Sequence, residues 1–274
     1  MESVRLGAQL AVSAEPPPLW RFVQQIGAIA EVEIKKISRD PTELFSRAVQ
    51  PVLWLVVFGE VFSRVRGIPT GNVSYLAFMT PGILAQSVLF AAIFYGISIV
   101  WERDLGIVHK LLVSPAYRAA FVLGKAISAG FRGAIQALVI FAVAALLRVD
   151  IHWSAPGLLG VLVAVTLGSA IFATFSLIIA CLVKSRERFM GIGQLLTMPM
   201  FFASNAIYPL AIMPRWLQAV SVANPLTYLV DVLRGLMLTQ APTLHSPLPD
   251  FGVLTVIFLI LTWIAAKLYP TLVQ

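Results

Sequence analysis

Charge is scarce in this sequence and cysteine is nearly absent. Only 12% of its 274 residues are charged, against about 25% in a soluble domain, while 59% are hydrophobic. Burying so much apolar surface calls for lipid, which excludes a water-soluble enzyme or binding module. A bilayer core about 30 Å thick takes roughly 20 apolar residues per crossing helix, and the chain supplies several such runs. Cys181, the one cysteine, rules out an internal disulfide and a cysteine-based metal cluster, and its apolar neighbours mark it as a packing residue.

Catalytic and nucleotide-binding signatures are missing as well. Gly124 and Lys125 are adjacent, but Ala119 and Ala126 stand where a phosphate loop needs a glycine and a hydroxyl. The chain is therefore expected to hydrolyse no ATP and to hold no cofactor. His109, His152 and His245 fall in separate connections, so no histidine cluster is expected, and no paired carboxylates or Ser-His-acid set has a recognisable spacing. The net charge of +7 arises from lysines and arginines that flank apolar runs, not from a basic stripe, so nucleic acid is not an expected partner.

What is present is a series of hydrophobic regions. Residues 1–18, with Pro16, Pro17 and Pro18, read as a flexible tail and not a signal peptide. In residues 20–39, Phe22, Ile26, Ile29, Ile34 and Ile37 recur near helical spacing beside Lys35, Lys36 and Arg39, as in a helix lying in the membrane interface. Spans are predicted at 44–62, 75–100, 120–147, 157–183, 189–208 and 251–269, whereas 209–248 is too long and apolar for an ordinary loop and predicts structure. The expected fold is an all-α polytopic membrane protein with six transmembrane helices, its domain covering 19–274.

Of the 20 lysines and arginines, only Arg64, Arg66, Arg148, Arg215 and Arg234 fall on the outer side when the N-terminus is cytoplasmic; Arg132 lies within a span. That asymmetry predicts cytoplasmic N- and C-termini and places the charged stretch 101–118, WERDLGIVHKLLVSPAYR, in the cytoplasm. On one continuous helix Leu105, Val108, Leu111 and Leu112 would form an apolar ridge, with Arg103 and Lys110 nearly opposite and Pro115 as the stop. Two readings fit this pattern: a helix resting on lipid, or one docked in a groove of a soluble partner. Arg132 likewise fits a side chain reaching for phosphates or one lining a pathway, and Glu60 fits pairing with Arg64 or the same pathway.

Several motifs together resemble the ABC-2-type transporter permeases over nearly the whole chain. They are the Glu102-Arg103-Asp104-Leu105-Gly106 run leading to Leu111-Leu112-Val113-Ser114-Pro115, and the patterns P-x-x-F-x-S from Pro199, P-x-x-x-x-P-x-W from Pro209 and N-P-L-T-Y-x-x-D-x-x-R from Asn224. Asn205 stands where that family usually has glycine.

The resemblance implies a homodimer in the bacterial plasma membrane that recruits separate ABC ATP-binding subunits, on which ATP and magnesium reside. It makes 101–118 the coupling segment, with Glu102, Arg103, Asp104, Leu105, Val108, Lys110, Leu111, Leu112 and Pro115 as contacts, and 20–39 a second contact. It makes 209–248 a pair of short helices re-entering the outer leaflet, where Pro209, Asn224, Pro225, Tyr228, Asp231 and Arg234 build an outer gate. Asp231 and Arg234, three residues apart, are expected to pair. The implied activity is ATP-driven export of a hydrophobic or amphipathic, drug-like compound. Export of a lipid-linked saccharide or cell-wall polymer is the nearest alternative, and an ion-coupled carrier a further one.

Overall fold

The computed structural model describes residues 18–39, 42–63, 70–71, 73–108, 117–239 and 243–269, and all regular structure among them is helical. Four helices are long and apolar enough to cross a membrane: Tyr75–Asp104, Arg118–Leu146, Ala155–Leu182 and Pro247–Leu268. Their apolar cores are covered very differently. Of the Tyr75–Asp104 window 78% is buried against 11% of the Pro247–Leu268 window, so the former is the central helix and the latter lies along the outside.

The chain opens with α1, Pro18–Arg39, whose first residue is a proline already suited to the first helical turn. Ala30, Glu33 and Ile37 form its buried stripe, and Leu19, Trp20, Val23 and Val32 stay exposed. Helix α2, Thr42–Leu53, contains Pro51, which has no N–H for the helix ladder, and one turn later the helix widens into a π turn at Trp54–Phe58 before α3, Gly59–Ser63. The predicted first span is thus helical but interrupted.

Ser74 caps α4, Tyr75–Tyr95, by accepting a hydrogen bond from the Ala77 amide. Gly96 separates it from α5, Ile97–Asp104; a Cβ there would sit 1.9 Å from Ser176 Oγ and 2.9 Å from Phe189, so a hydrogen at this position is what lets two neighbouring helices close in. Helices α6, Arg118–Leu146, and α7, Ala155–Leu182, pack together through Gly130 against Thr166 and Gly133 against Ser169, small residues that admit close backbones in lipid.

The predicted fifth span, 189–208, is shorter than expected. Its helix, α8, is the 17-residue Arg186–Phe202, and the chain then turns through Ser204, whose hydroxyl donates to Phe201 O and accepts from the Ala206 amide. Local capping by Ser204 competes with continuation of the helix. Within 209–248 lie a 3-10 turn, Leu210–Ile212, then α9, Arg215–Ala223, and α10, Pro225–Met237, followed by α11, Pro247–Leu268.

Candidate functional site

Four ionised side chains from three parts of the sequence close a ring at the end of the bundle where α1 lies. Lys36 Nζ donates to Glu33 Oε1 at 2.8 Å and to Glu102 Oε1 at 2.7 Å. Lys125 Nζ, on α6, reaches Glu102 Oε2 at 2.9 Å and Glu33 Oε1 at 3.2 Å. The charges alternate around the ring and sum to zero. Tyr95 OH adds a hydrogen bond to Glu33 Oε2 at 2.5 Å, and the Arg132 guanidinium lies 4.5 Å from the centroid of the Tyr95 ring.

Three of the four ring members are buried, with side-chain exposures of 4% for Glu33, 9% for Glu102 and 5% for Lys125, while Lys36 is half exposed at 49%. Removing such charges from water is costly, and the alternating partners offset that cost only while all are present. Burial raises the Glu33 carboxyl, but Lys125, with the hydrogen bonds from Lys36 and Tyr95, outweighs it and holds the group down to about 2. Helix α1 comes near enough because Gly124 of α6 faces it: a Cβ there would lie 2.7 Å from Ile29 Cβ and 3.1 Å from Ile26 O.

The residues beside Glu102 are clamped on the opposite side. Arg103 donates from Nη1 to Val183 O at 2.7 Å and from Nη2 to Lys184 O at 2.8 Å, supplying a cation and two donors to the carbonyl end of α7. Asp104 accepts from Arg186 Nε at 2.8 Å, and the Arg186 guanidinium stacks 3.5 Å from the Trp101 ring centroid. A displacement of Trp101 to Asp104 is thereby shared among α1, α6, α7 and α8. This arrangement holds elements together.

The expected single amphipathic helix over this segment needs correction. Glu102, Arg103 and Asp104 are the last turn of α5, and the chain turns at Leu105 and Gly106, where φ is 71°. A glycine at positive φ is a helix stop, so Leu105 and Val108 do not share a ridge: Leu105 is 67% exposed and Val108 fully buried. Lys110, Leu111, Leu112 and Pro115 lie outside the described residues, as does Arg64, the expected partner of Glu60. Glu60 is exposed, whereas Arg132 is buried and turned back toward Tyr95.

At the far end of the bundle the expected gate residues are used locally. Pro209 precedes the 3-10 turn, and Asn224 caps α10 through Oδ1 to the Leu226 amide while its Nδ2 donates to Met200 O at 2.6 Å. Pro225 takes the first helical position, and Tyr228 OH donates to Val222 O. The expected Asp231 to Arg234 ion pair is replaced by better local partners. Asp231 accepts the Leu244 and His245 amides at 2.9–3.0 Å, and Arg234 Nη2 donates to Asn205 O at 2.7 Å with its guanidinium 3.9 Å from the Phe78 ring centroid. Three-residue spacing permits a pair, but the Asp231 carboxylate turns to the loop amides, while Arg234 makes one bond to Asn205 O and leaves its Nε without a hydrogen-bond partner.

Sequence reasoning missed Glu33 altogether, read Lys36 as a charge of the interfacial helix, and weighed Lys125 as a topology charge and as part of a failed phosphate loop. One sign was legible: Glu33 is three residues from Ala30 and four from Ile37, which puts a carboxylate on the buried stripe of an amphipathic helix.

Long apolar helices, clamped at one end by buried ion pairs, define a polytopic helical membrane protein. The chain belongs to the ABC-2 type transporter family, whose model matches residues 24–238. It is similar to a putative transport permease, ycf38, of Cyanophora paradoxa, 28% identical over 78% of this chain and 74% of the relative. It is also similar to the nodulation protein J of Rhizobium meliloti, 28% identical over 86% and 88% of the two chains. A third relative is the daunorubicin resistance ABC transporter permease DrrB1 of Streptomyces coeruleorubidus, 25% identical over 83% and 76%. Permeases of this family are the membrane components of their transporters and work with ATP-binding subunits.

Proposed function

We propose that this chain is the permease of an ATP-driven exporter moving a hydrophobic or amphipathic, drug-like compound out across a bacterial plasma membrane, with both termini in the cytoplasm. The four-charge ring carries the reading. It ties α1, the end of the central helix and α6 into one unit beside the expected coupling segment, so a push on Trp101 to Val108 has a rigid path into the spans. A cleft of about 230 Å³ borders the ring, with Val32, Ile107 and Phe121 among its walls, and suits a docking side chain of an ATP-binding subunit. ATP and magnesium belong to that subunit.

In this reading six helices cross the membrane, the interrupted 42–63 helix and α8 included. Met190, Ile192, Leu195 and Phe202 leave α8 with an exposed apolar face suited to a second copy of the chain. A cleft of about 380 Å³ combines Ser46, Arg47 and Gln50 with Phe90, Phe94 and Ile97, a polar and an apolar wall matched to an amphipathic solute. The relative named for daunorubicin resistance supports the drug-like cargo.

The test is transport by the permease reconstituted with its ATP-binding subunit in inside-out vesicles, followed by daunorubicin fluorescence. ATP-dependent accumulation is expected, and Glu102→Gln is expected to reduce it while the complex still inserts. Accumulation that continues without ATP would overturn the reading in favour of an ion-coupled carrier. ATP-driven movement of a lipid-linked saccharide without daunorubicin transport would keep the permease and replace the cargo.

A further inference from the structure

Asp231, His245 and Asp250 come together where α10, the loop before α11 and the first turn of α11 meet, with ligand atoms all within 4.8 Å of one another. Both aspartates are 1% exposed, and His245 covers them from the solvent side with a side-chain exposure of 53%. His245 Nδ1 lies 3.2 Å from Asp250 Oδ1, while Asp250 Oδ2 is buried with no hydrogen-bond partner. The Leu244 amide, shared between both oxygens, the His245 amide and, at 3.5 Å, Asn205 Nδ2 fix the Asp231 carboxylate. Arg234, one turn along, donates to Asn205 O and lies over the Phe78 ring, with its Nε left without a hydrogen-bond partner.

We propose that these three residues form a binding site for a divalent transition metal of the zinc type. The donor set, one imidazole nitrogen and two carboxylates, suits zinc, whereas calcium and magnesium favour sites made wholly of oxygen. Tetrahedral zinc with bonds of about 2.0–2.2 Å needs its ligand atoms about 3.4 Å apart, so a pair at the 4.8 Å limit must draw together by about 1.4 Å. Exposed His245 can rotate to do so, and Asp231 is already oriented by its amide donors, as outer-shell hydrogen bonds orient a metal ligand. The ion would occupy the position facing the orphaned Asp250 oxygen, leave a fourth place for water, and staple the start of the last long helix to α10. The site is independent of the cargo and of ATP coupling.

The experiment is calorimetric titration of Zn²⁺ into the full-length, chelator-stripped protein in detergent, with thermal unfolding measured in the same samples. One ion per chain and a rise in unfolding temperature are expected, with no competition from Mg²⁺. His245→Ala removes the contact to Asp250 Oδ1, so its own zinc-free unfolding temperature is the baseline for its zinc response. Its zinc affinity should fall by at least about tenfold, a loss that even an outer-shell change can produce. Asp250→Asn should lose the zinc-induced temperature rise. No uptake by the unaltered protein, or equal uptake by it and His245→Ala, would overturn the site.

Discussion

The two ends of the central helix bury charge in opposite ways. Phe78 and Glu102 mark those ends, about 36 Å apart along the axis at 1.5 Å per residue. Around Glu102 two carboxylates alternate with two ammonium groups, each bonded to both neighbours. Beyond Phe78 two carboxylates face one half-exposed imidazole; Asp231 rests on backbone amides, and one Asp250 oxygen is left over. The first cluster is satisfied by side chains far apart in sequence and works as a clamp. The second depends mostly on the backbone of one loop, which holds Asp231 alone.

The largest effect should come from opening the ring. Lys125→Met leaves Glu33 and Glu102 buried beside each other, which costs about 3–5 kcal/mol, as for other broken buried pairs. A matching drop in unfolding temperature in detergent is expected. Adding Glu33→Gln should return part of that loss if the two sites are coupled as the ring requires. At the other end Asp231→Asn should cost less, about 1–3 kcal/mol, because only part of the acceptor capacity for the Leu244 and His245 amides is lost. It should show as faster proteolysis around residues 243–246.

Arg103→Ala removes two charge-assisted bonds to the end of α7 and is expected to cost about 1.5–3 kcal/mol at most, since the site is partly exposed. Hydrogen exchange at Val183 to Ser185 would register it. Acid should act on the two ends differently. With Glu33 held at about 2 against an ordinary value of 4.5, its contribution is complete above about 4.5 and lost as pH falls through about 2. A distance label pairing Val23 with Tyr117 should therefore report α1 in place at pH 5 and released only in stronger acid. Smallest of all, Lys35→Ala breaks the exposed pair with Glu31 on α1 and should shift the unfolding temperature less than any of these changes.

Helix positions were largely legible because hydrophobic runs and caps are local signals. Ser74, Ser154 and Asn224 each cap the helix that follows. The end of α5 was legible too, had Gly106 been weighted as a stop instead of projected onto a continuing helix. The ring was not, since Glu33 and Glu102 are 69 positions apart and no local period records which helices meet. Asp231 and Arg234 show the converse: their spacing allowed a pair, and only the fold shows that Asn205 and the loop at 244–245 compete for them. His245 looked like an isolated loop histidine because its companions sit on two different helices.

The missing side chain at Gly124 sets the reach of the whole ring. With Ile29 pressed to that bare backbone, Glu33 one turn further along α1 arrives within bonding distance of Lys125, which lies next to Gly124. A methyl group there would act as a shim, lifting α1 without touching any ionised atom. A neutral substitution would then look, by every functional measure, like the loss of a charge.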